Sequence, residues 1–481
     1  METNQKTIKV LQLDGRRTAI SAESMTDFQN SLKGDLILPE DTAYDEARLL
    51  WNKMHDKRPA LIARCEGVAD VIAAVNFARE HQILTAIRGG GHNVGGTGSC
   101  DGGIQINLSK MNSVHVDVKS NTVRVGGGAT HLDVDRETQV FGKAIAAGVV
   151  STTGIAGLTL GGGLGHLRRK HGLAIDNLLS VDMVTANGEF ITASADENPE
   201  LFWGVRGGGG NFGVVTSFLF KTHDVGPDVA FIAVWYPVDN AKELLLKWQD
   251  YMNNAPEEFS CNAMFWSVPP IPDIPEELHN KRALIFGGVH CGDLEEGLKV
   301  IQPLRELGTP LLDMSGPTPW SGVQTGFDGF FPTGGRYYYF KSSYLQAMDE
   351  ETIDALLPNA TNPPVPPILL ALWHYGGKMQ RVGDTDTPFM GRKAPFLFSI
   401  DCIWDDVNDS DKVVNYARNF LKEMEPYSGN GLYVNFAGLG EEGNELVRAA
   451  YGDNYDRLVK LKNKYDPTNQ FRLNQNIKPT S

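Results

Sequence analysis

The distribution of glycine constrains the fold of this chain more than any other feature of its sequence. The 481 residues include 52 glycines, which crowd into residues 89–103, 126–128, 154–165 and 204–213 without a fixed repeat period. Glycine permits positive φ and lets a backbone pass close to another group, and a run of unshielded N–H groups can hold a phosphate. Gly-rich turns that recur across this range therefore predict a large, extended cofactor lying along a backbone surface.

Common nucleotide-binding motifs do not explain these turns. The stretch "RGGGGNFG", residues 206–213, contains a GxGxxG string, but it leads into the strand-like "VVTSFLF", whereas the dinucleotide fingerprint must open a helix. The chain has no GxxxxGK[ST] string, so hydrolysis of a nucleoside triphosphate is not expected. The stretch "AIRGGGHNVGG" by itself fits a crowded turn between strands equally well, and only the recurrence favours a cofactor.

Hydrophobic periodicity and composition divide the chain into two regions. Residues 58–85 fit a strand, a helix and a second strand, residues 178–194 fit a hairpin with an Asn-Gly turn, and residues 103–129 fit short alternating strands. Near residue 226 the glycine clusters stop, while aromatic residues and prolines increase. This shift predicts a second domain over roughly 226–430.

Composition also excludes several classes of function. The net charge is −15 and the basic residues are scattered, so nucleic acid is not an expected partner. No apolar run approaches the roughly 18 residues of a membrane helix, and the first twenty residues lack the apolar core of a signal peptide. A soluble, cytoplasmic protein with no membrane contact is therefore expected. No metal-ligand pattern is present, and the five widely spaced cysteines fit free thiols.

Four motifs together are typical of one family of flavoproteins: "RGGGHNVGG", "GLTLGGGLGHLRRKHGLAIDNL", "DENPELFWGVRGGGGNFGVVTSF" and "DPTNQFRLNQNIKP". The segment 58–221 resembles the PCMH-type FAD-binding domain of the vanillyl-alcohol-oxidase superfamily. It is most similar to the berberine-bridge-enzyme-like branch and, within it, to bacterial members related to 6-hydroxy-D-nicotine oxidase. Residues 433–479 resemble the C-terminal segment of the same branch.

The resemblance implies an α+β fold with two domains. The FAD-binding domain should comprise residues 1–225, with its core at about 58–221, and should regain residues 431–481 from the C-terminus. Residues 226–430 should form a substrate domain with a mostly antiparallel sheet, covered by helices on one face. The implied activity is oxidation of a small organic substrate (an alcohol, sugar, amine or phenolic) by hydride transfer to FAD, with oxygen as acceptor and hydrogen peroxide as product.

The resemblance also assigns a role to His92. In the family, the histidine after the glycines is bonded through a ring nitrogen to the 8α-methyl group of the flavin. The alternative is a histidine that only hydrogen-bonds a turn. The other residues expected to contact FAD are Arg88, Gly89, Gly90, Gly91, Asn93, Gly95, Thr152, Thr153, Gly154, Gly157, Leu158, Gly162, Gly163, Gly165, His166, Gly213, Val215, Asn474 and Asn476.

The sequence departs from the family around the flavin. Many relatives attach the flavin a second time through the cysteine of a GVCxxxG pattern, but the matching "GVVSTTG" has Val150 at that position. A single covalent link, through His92, is therefore expected. The family position that gates oxygen is Thr153 here, and its valine-like bulk should not block oxygen, which favours an oxidase.

A third departure concerns the catalytic base. Many relatives have a YxNY pattern whose last tyrosine can act as the base, whereas this chain has Phe436, which cannot take a proton. An amine substrate needs no base, but an alcohol needs one near the working pH. The predicted catalytic set is Tyr433, Asn435, Tyr339 and His374. Further candidates for the base, each with an ordinary structural explanation, are Tyr337, Lys341, Tyr375, Lys378 and Asp401.

Other functions stay open at the level of sequence. A dehydrogenase would share the hydride transfer but pass the electrons to a quinone or another carrier. An oxidative cyclase would use the same hydride step and trap the resulting cation. Phe436 and Val150 also keep open a flavin-retaining protein without catalysis.

Overall fold

A computed structural model of the chain describes residues 7–272, 274–429, 431–438 and 444–480. Helices and strands are both abundant in these ranges, and the predicted α+β class is confirmed. The α-helices are Ala22–Ser31, Tyr44–Arg48, Val68–Glu80, His131–Thr138, Ile155–Leu160, Arg168–His171, Pro199–Val205, Ala241–Asn254, Leu294–Arg305, Trp320–Thr325, Glu350–Thr361, Lys378–Arg381, Ser410–Met424, Asn444–Tyr451 and Tyr455–Tyr465.

A four-stranded sheet carries the first glycine run. Its strands, in spatial order, are Asp35–Ile37, Leu61–Arg64, Ile104–Asn107 and Thr85–Arg88, and the last three are parallel. The helix Val68–Glu80 connects two parallel strands, so the predicted order of strand, helix and strand is confirmed, but the second strand, Thr85–Arg88, begins only at the last residue of the predicted range 58–85. The last strand in the order leads directly into the glycines at 89–91.

A five-stranded antiparallel sheet carries the later glycine runs. Its order is Phe190–Ser194, Leu178–Val184, Val214–Lys221, Thr122–Gly126 and Val114–Asp117. The predicted hairpin turns at Gly188, which has φ +78°. The run at 206–213 leads into a strand and not a helix, so the exclusion of the dinucleotide fingerprint is confirmed. Two short pairs, Ile8–Leu11 with Arg17–Ile20 and Lys143–Ala144 with His223–Asp224, complete this region.

A nine-stranded sheet occupies the middle of the chain, and its described pairings are all antiparallel. Eight of the strands follow one another in the order Leu312–Asp313, Asp228–Pro237, Arg282–His290, Phe259–Ser267, Leu369–His374, Phe396–Trp404, Tyr337–Leu345 and Ser428–Gly429. The ninth strand, Gly316–Pro319, also pairs with Asp228–Pro237, on the same edge as Leu312–Asp313. The change in composition near residue 226 therefore coincides with the start of the nine-stranded sheet. The predicted domain boundaries at 225 and 430 stay a prediction.

The two faces of the nine-stranded sheet have different neighbours. Because side chains alternate along a strand, Cys261, Ala263 and Phe265 share one face and pack in a core with the helices Ala241–Asn254, Leu294–Arg305, Glu350–Thr361 and Ser410–Met424. Met264 and Trp266 share the other face, which packs toward the Gly-rich region. The sheet is therefore covered by helices on one side and covers the Gly-rich turns with the other.

A buried ion pair and a buried hydrogen bond connect the Gly-rich region to the middle of the chain and to the C-terminal tail. Arg392 makes two hydrogen bonds to the Asp176 carboxylate, at 2.7 and 2.9 Å, and so ties the middle of the chain to the Gly-rich region. The C-terminal tail returns to the same region, where the Ile477 backbone donates to Oδ1 of Asn211. Within the described ranges, no helix has both the length and the apolar character needed to cross a bilayer.

Candidate active site

A cavity lies between the Gly-rich turns and the nine-stranded sheet. We call its Gly-rich side the floor; it is formed by residues 89–93, 153–161 and 209–215. The sheet side, which we call the roof, presents Asn262, Phe340, Leu369, Trp373 and Asp401. The cavity brings together fourteen of the residues that the sequence assigned to one site: Gly89, Gly90, Gly91, His92, Asn93, Thr153, Gly154, Gly157, Leu158, Gly213, Val215, Tyr433, Asn435 and Asn474.

The floor is built by two Gly-rich turns in direct contact. A Cβ on Gly90 would lie 2.5 Å from Cα of Gly154, so neither position accepts a side chain without movement of the backbone. A Cβ on Gly157 or Gly210, by contrast, would meet no protein atom within 4 Å, although both residues line the cavity. The first pair serves chain packing, and the second pair leaves free space beside the backbone for a ligand.

His92 follows this contact and borders the cavity. Its Nε2 lies 2.9 Å from Oγ1 of Thr152, its Nδ1 lies 3.4 Å from Oγ1 of Thr153, and its ring stacks on Trp51 with the centroids 4.9 Å apart. The ring is reached from the cavity but lies deep beneath the protein surface, and this burial lowers its pKa to about 3. The imidazole is therefore neutral at physiological pH, and a ring nitrogen keeps its lone pair for bonding.

Tyr433 is held as a hydrogen-bonded phenol at the cavity wall. Its oxygen accepts hydrogen bonds from the backbone N–H groups of Gly163 (3.3 Å) and Leu164 (3.2 Å) and from Nδ2 of Asn435 (2.8 Å). Burial nevertheless raises the pKa of Tyr433 above its usual value. Tyr433 thus keeps its proton at neutral pH and is unsuited to act as a base. The ring of Phe436 packs edge-on against it at 4.9 Å.

Asp401 is the carboxyl group of the roof. It is 5% exposed, its Oδ2 accepts a hydrogen bond from Oγ of Ser399 (3.3 Å), and its Oδ1 has no partner among the described residues. Nε1 of Trp373 in turn donates to Oγ of Ser399 at 3.3 Å, which orients that hydroxyl. Burial raises the pKa of Asp401 to about 7. The carboxyl can therefore gain or lose a proton near neutral pH, which is what a general base requires.

Comparison with known proteins identifies the family. An FAD binding domain matches residues 59–194, and the berberine and berberine-like domain matches residues 414–478. An FAD-linked oxidoreductase of Dictyostelium discoideum is 32% identical over 95% of this chain and 98% of its own length. (R)-6-hydroxynicotine oxidase of Paenarthrobacter nicotinovorans is 32% identical over 93% of this chain and 97% of its own. The chain belongs to the berberine-like FAD-linked oxidoreductases.

Solved structures of this berberine-like family agree with the fold described above. The crystal structure of 6-hydroxy-D-nicotine oxidase from Arthrobacter nicotinovorans superposes with a TM-score of 0.83 at 30% identity and covers 93% of this chain and 98% of its own. Chitooligosaccharide oxidase, at 23% identity, shares the fold with a TM-score of 0.84 over 95% and 100% of the two chains. The family predicted from the four motifs is therefore confirmed, as are FAD binding and an oxidoreductase activity.

The residues of the cavity suit the FAD of a berberine-like enzyme. The space beside Gly157 and Gly210 admits a ligand against the bare backbone. The buried Oδ1 of Asn474 has no partner among the described residues and can accept a hydrogen bond from the cofactor. Phe471, Leu473 and Gln475 extend the same wall. The floor and the C-terminal tail thus supply the backbone donors, the acceptor and the apolar surface that a dinucleotide needs.

Two members of the predicted catalytic set do not line the cavity. Tyr339 alternates with Phe340 on its strand, so it packs in the core on the helix side of the sheet. His374 packs against Trp248, and its Nε2 lies 3.4 Å from Oδ1 of Asn253. Among the further candidates for the base, only Asp401 lines the cavity, while Tyr337, Lys341, Tyr375 and Lys378 do not.

Several residues expected to contact FAD also lie outside the cavity lining. Thr152 reaches it only through its contact with His92. The guanidinium of Arg88 donates to the carbonyl of Ala47, which turns the side chain away. Gly162, Gly163 and Gly165 pack closely against neighbouring residues. Gly95, His166 and Asn476 also lie outside the lining.

Sequence reasoning did not find the aromatic residues that line the cavity. Trp51, Phe327, Phe331, Phe340 and Trp373 line the cavity from four separate segments. Isolated aromatic residues in apolar segments carry no signal that separates a cavity wall from a core. Asn262 offered a signal, since it is a lone amide within the otherwise apolar "CNAMFW", and a polar group buried on a strand needs a partner or a function.

Proposed function

We propose that this chain is an FAD-linked oxidase that removes a hydride from a carbon bearing a hydroxyl or amine group and passes the electrons to oxygen, giving hydrogen peroxide. FAD bound over the floor supplies the hydride acceptor. The observation that carries the proposal is a single cavity with a glycine floor, a neutral histidine at its edge and a proton-accepting carboxyl in its roof. Oxygen as acceptor is supported by Thr153, which adds no more bulk to the cavity than valine would.

The cofactor in this proposal is attached covalently through His92 alone. The neutral ring is held by Thr152 and stacked on Trp51, so it is restrained in one orientation toward the cavity. Val150 lines the cavity at the position of the second attachment in other members, and none of the five cysteines does. The glucooligosaccharide oxidase of Acremonium strictum, whose structure is described with a 6-S-cysteinyl, 8α-N1-histidyl FAD, differs in this respect.

Asp401 takes the place of the missing tyrosine base. Its free Oδ1 accepts the hydroxyl proton of an alcohol substrate, while Ser399 holds the other oxygen. Phe436 contributes only an apolar edge near Tyr433. Tyr433 and Asn435 hold the floor in place by bonding the turn at 158–164.

The aromatic lining of the cavity favours a flat, largely apolar substrate over a sugar. Phe327, Phe331, Phe340 and Trp373 supply ring surfaces, whereas Asn262 and Asp401 are the polar side chains that the described sheet directs into the cavity. A sugar ring brought here would leave several hydroxyl groups without partners, at about 1–3 kcal/mol each. An aromatic alcohol or amine buries its ring and needs one or two polar partners.

The first test is the intact mass and visible spectrum of the purified protein after acid precipitation. We expect the yellow colour to stay with the precipitate and the chain to carry the added mass of one FAD. His92→Ala should release the cofactor into the supernatant, because no other described side chain at the cavity is proposed to bond it. FAD that stays attached in His92→Ala would contradict the assignment of the link.

A second measurement separates an oxidase from a dehydrogenase. The protein is reduced anaerobically with an aromatic alcohol and then mixed with oxygenated buffer or with a quinone. Rapid recovery of the flavin absorbance with release of hydrogen peroxide is expected for an oxidase. Recovery with the quinone alone would show a dehydrogenase, and no bleaching by any alcohol, amine or sugar would favour a protein without catalysis.

A further inference from the structure

The buried guanidinium of Arg168 is surrounded by neutral acceptors. Its Nε donates to the carbonyl of His374 (3.0 Å), its Nη1 to that of Gly165 (3.2 Å), and its Nη2 to that of Cys261 (3.3 Å) and to Oδ1 of Asn262 (2.5 Å). No carboxylate is among the charged groups that influence it in the described part of the chain. Burial lowers its pKa to about 10, so the side chain stays charged at neutral pH.

Asn262 stands between this charge and the cavity. It lies on the strand Phe259–Ser267, pairs with Trp373 on the next strand, and lines the roof together with it. Its Oδ1 is taken by Arg168, while its Nδ2 has no hydrogen-bond partner among the described residues and is not enclosed by them. The amide N–H groups are therefore open to the cavity.

The guanidinium fixes the direction of this amide. Rotation of the Asn262 amide by half a turn would set its NH₂ group against the N–H groups of Arg168, two donors facing each other. Hydrogen bonds from a charged donor are stronger than those between neutral groups, so the observed orientation is strongly preferred. The guanidinium also lies 5.5 Å from the ring centre of Trp373, which places its positive charge directly behind the roof.

We propose that Asn262 is a specificity-determining hydrogen-bond donor for the substrate, and that Arg168 is the positioning residue that holds it as a donor. The proposal rests on the proposed function above and adds a requirement to it. The substrate must carry an uncharged acceptor atom, an ether, phenol or carbonyl oxygen or a ring nitrogen, at the end remote from the carbon that is oxidised.

The sheet register sets the length of such a substrate. Asn262 pairs with Trp373, and Asp401 pairs with Leu369 on the same middle strand. The two polar residues are therefore four residues apart along the strands and two strands apart across the sheet, or about 16 Å between Cα atoms. A molecule about as long as a para-substituted cinnamyl alcohol spans this gap, with its alcohol at Asp401 and its para substituent at Asn262.

Two isosteric probes test the donor directly. 4-Methoxycinnamyl alcohol carries an ether oxygen where 4-ethylcinnamyl alcohol carries a methylene group. Anaerobic stopped-flow bleaching of the bound flavin gives a dissociation constant and a limiting rate for each probe. In the unchanged holoenzyme we expect the methoxy probe to bind about tenfold more tightly, with limiting rates within about twofold of each other, because one hydrogen bond is gained on binding and not in the hydride step.

Asn262→Asp is the variant that isolates the donor. The carboxylate keeps the bond to Nη2 of Arg168 and has nearly the shape of the amide, but it presents an acceptor to the cavity. We expect the preference for the methoxy probe to disappear or reverse, while the affinity for the ethyl probe and both limiting rates stay within about threefold. The ethyl probe thus controls for general damage to the roof within the same variant.

The outcomes separate the inference from the function on which it rests. Equal affinity for the two probes in the unchanged protein, or a methoxy preference that survives in Asn262→Asp, overturns the role of Asn262. Tighter binding of cellobiose than of either probe overturns the ligand class. If no probe bleaches the flavin, the proposed oxidation is rejected. The role of Asn262 is then still tested, because the dissociation constants of the two probes can be measured from the shift of the flavin absorbance on binding.

Discussion

At the scale of single residues, the proposed base is a carboxyl group among aromatic rings. Asp401 lies on a strand whose side chains are all buried, and burial alone raises its pKa from an ordinary acidic value to about 7. Ser399 stabilises one oxygen and leaves the other free. An acid–base group poised at the working pH in a closed cavity is a marker of a functional site.

Replacement of Asp401 by asparagine tests the base. For the unchanged enzyme, the bleaching rate with an alcohol should rise about tenfold per pH unit below the pKa of about 7 and level off above it, because the ionised form accepts the proton. Asp401→Asn should lower this rate by about 10²-fold or more and abolish the pH dependence. An amine substrate, which needs no base, is the control.

The same group links pH to stability. Unfolded aspartate ionises near pH 3.9, whereas folded Asp401 keeps its proton to about pH 7. The stabilising contribution of the protonated form is therefore complete below about pH 4 and is lost as the pH rises through 7. Asp401→Asn should show a smaller fall in Tm between pH 5 and pH 8 than the unchanged protein, and an equal fall in both would contradict the raised pKa.

At the scale of elements, some glycines of the Gly-rich turns allow close packing of the backbone, and others leave space for a ligand. Gly90 and Gly154 touch each other, so an added Cβ must push the two turns apart. Gly157 lies in the helix Ile155–Leu160 and faces the cavity with free space above it. In the sequence, these glycines all belong to the same clusters. Only the contacts in the folded chain distinguish the glycines that pack against each other from those that face the cavity.

Alanine substitutions should separate these two roles. Gly157→Ala should leave the apoprotein as stable as the parent, while the added methyl group weakens FAD binding by about tenfold or more. Gly90→Ala should destabilise the apoprotein itself by about 1–3 kcal/mol. The measurements are thermal unfolding without cofactor and FAD titration, both made in the His92→Ala background, where FAD is not bonded to the chain. Gly322→Ala, at an exposed position of the helix Trp320–Thr325, should change neither by much, and unaltered FAD binding in Gly157→Ala would show that the cofactor does not pass that point.

At the scale of the whole molecule, the C-terminal tail completes the cavity. Lys462 and Asp466 form a fully buried ion pair at 2.7 Å, and Nζ of Lys462 also donates to the carbonyls of Asn211 (2.9 Å) and Phe471 (3.0 Å). This cluster joins the last helix, the tail and the Gly-rich run at 206–213. Residues more than 200 positions apart in sequence thus form a single wall of the FAD site.

Lys462→Met should therefore act on folding and on the cofactor together. Removal of one partner leaves the carboxylate of Asp466 buried and uncompensated, which costs about 3–5 kcal/mol. Urea unfolding should show this loss, and in the His92→Ala background FAD binding should weaken because the tail carries Asn474. Lys462→Met combined with Asp466→Leu should recover much of the stability, whereas a single variant as stable as the parent would contradict the role of the pair.

The sequence was a sufficient guide wherever a local rule applied. The glycine runs identified the floor because positive φ and close approach are properties of the residue itself. The role expected of His92 came from the resemblance of its motif, RGGGHNVGG, to that of the family. The strand, helix and strand at 58–85 followed from periodicity. The departures at Val150 and Phe436 are likewise visible in the sequence, because they are single positions within specific motifs.

Tertiary structure decided the roof. Strands such as Phe396–Trp404 and Tyr337–Leu345 are buried on both faces, so they lack the alternation of polar and apolar residues that indicates which side faces a site. The sequence therefore offered no reason to rank Asp401 above Tyr339, which was in the predicted catalytic set, and only the helices packed on one face assign Asp401 to the cavity and Tyr339 to the core. The sequence by itself determined the cofactor and its floor, through properties of single residues and short motifs. The tertiary structure decided which side chains are available as the proposed base and the proposed substrate donor, because this depends on which face of a sheet is covered.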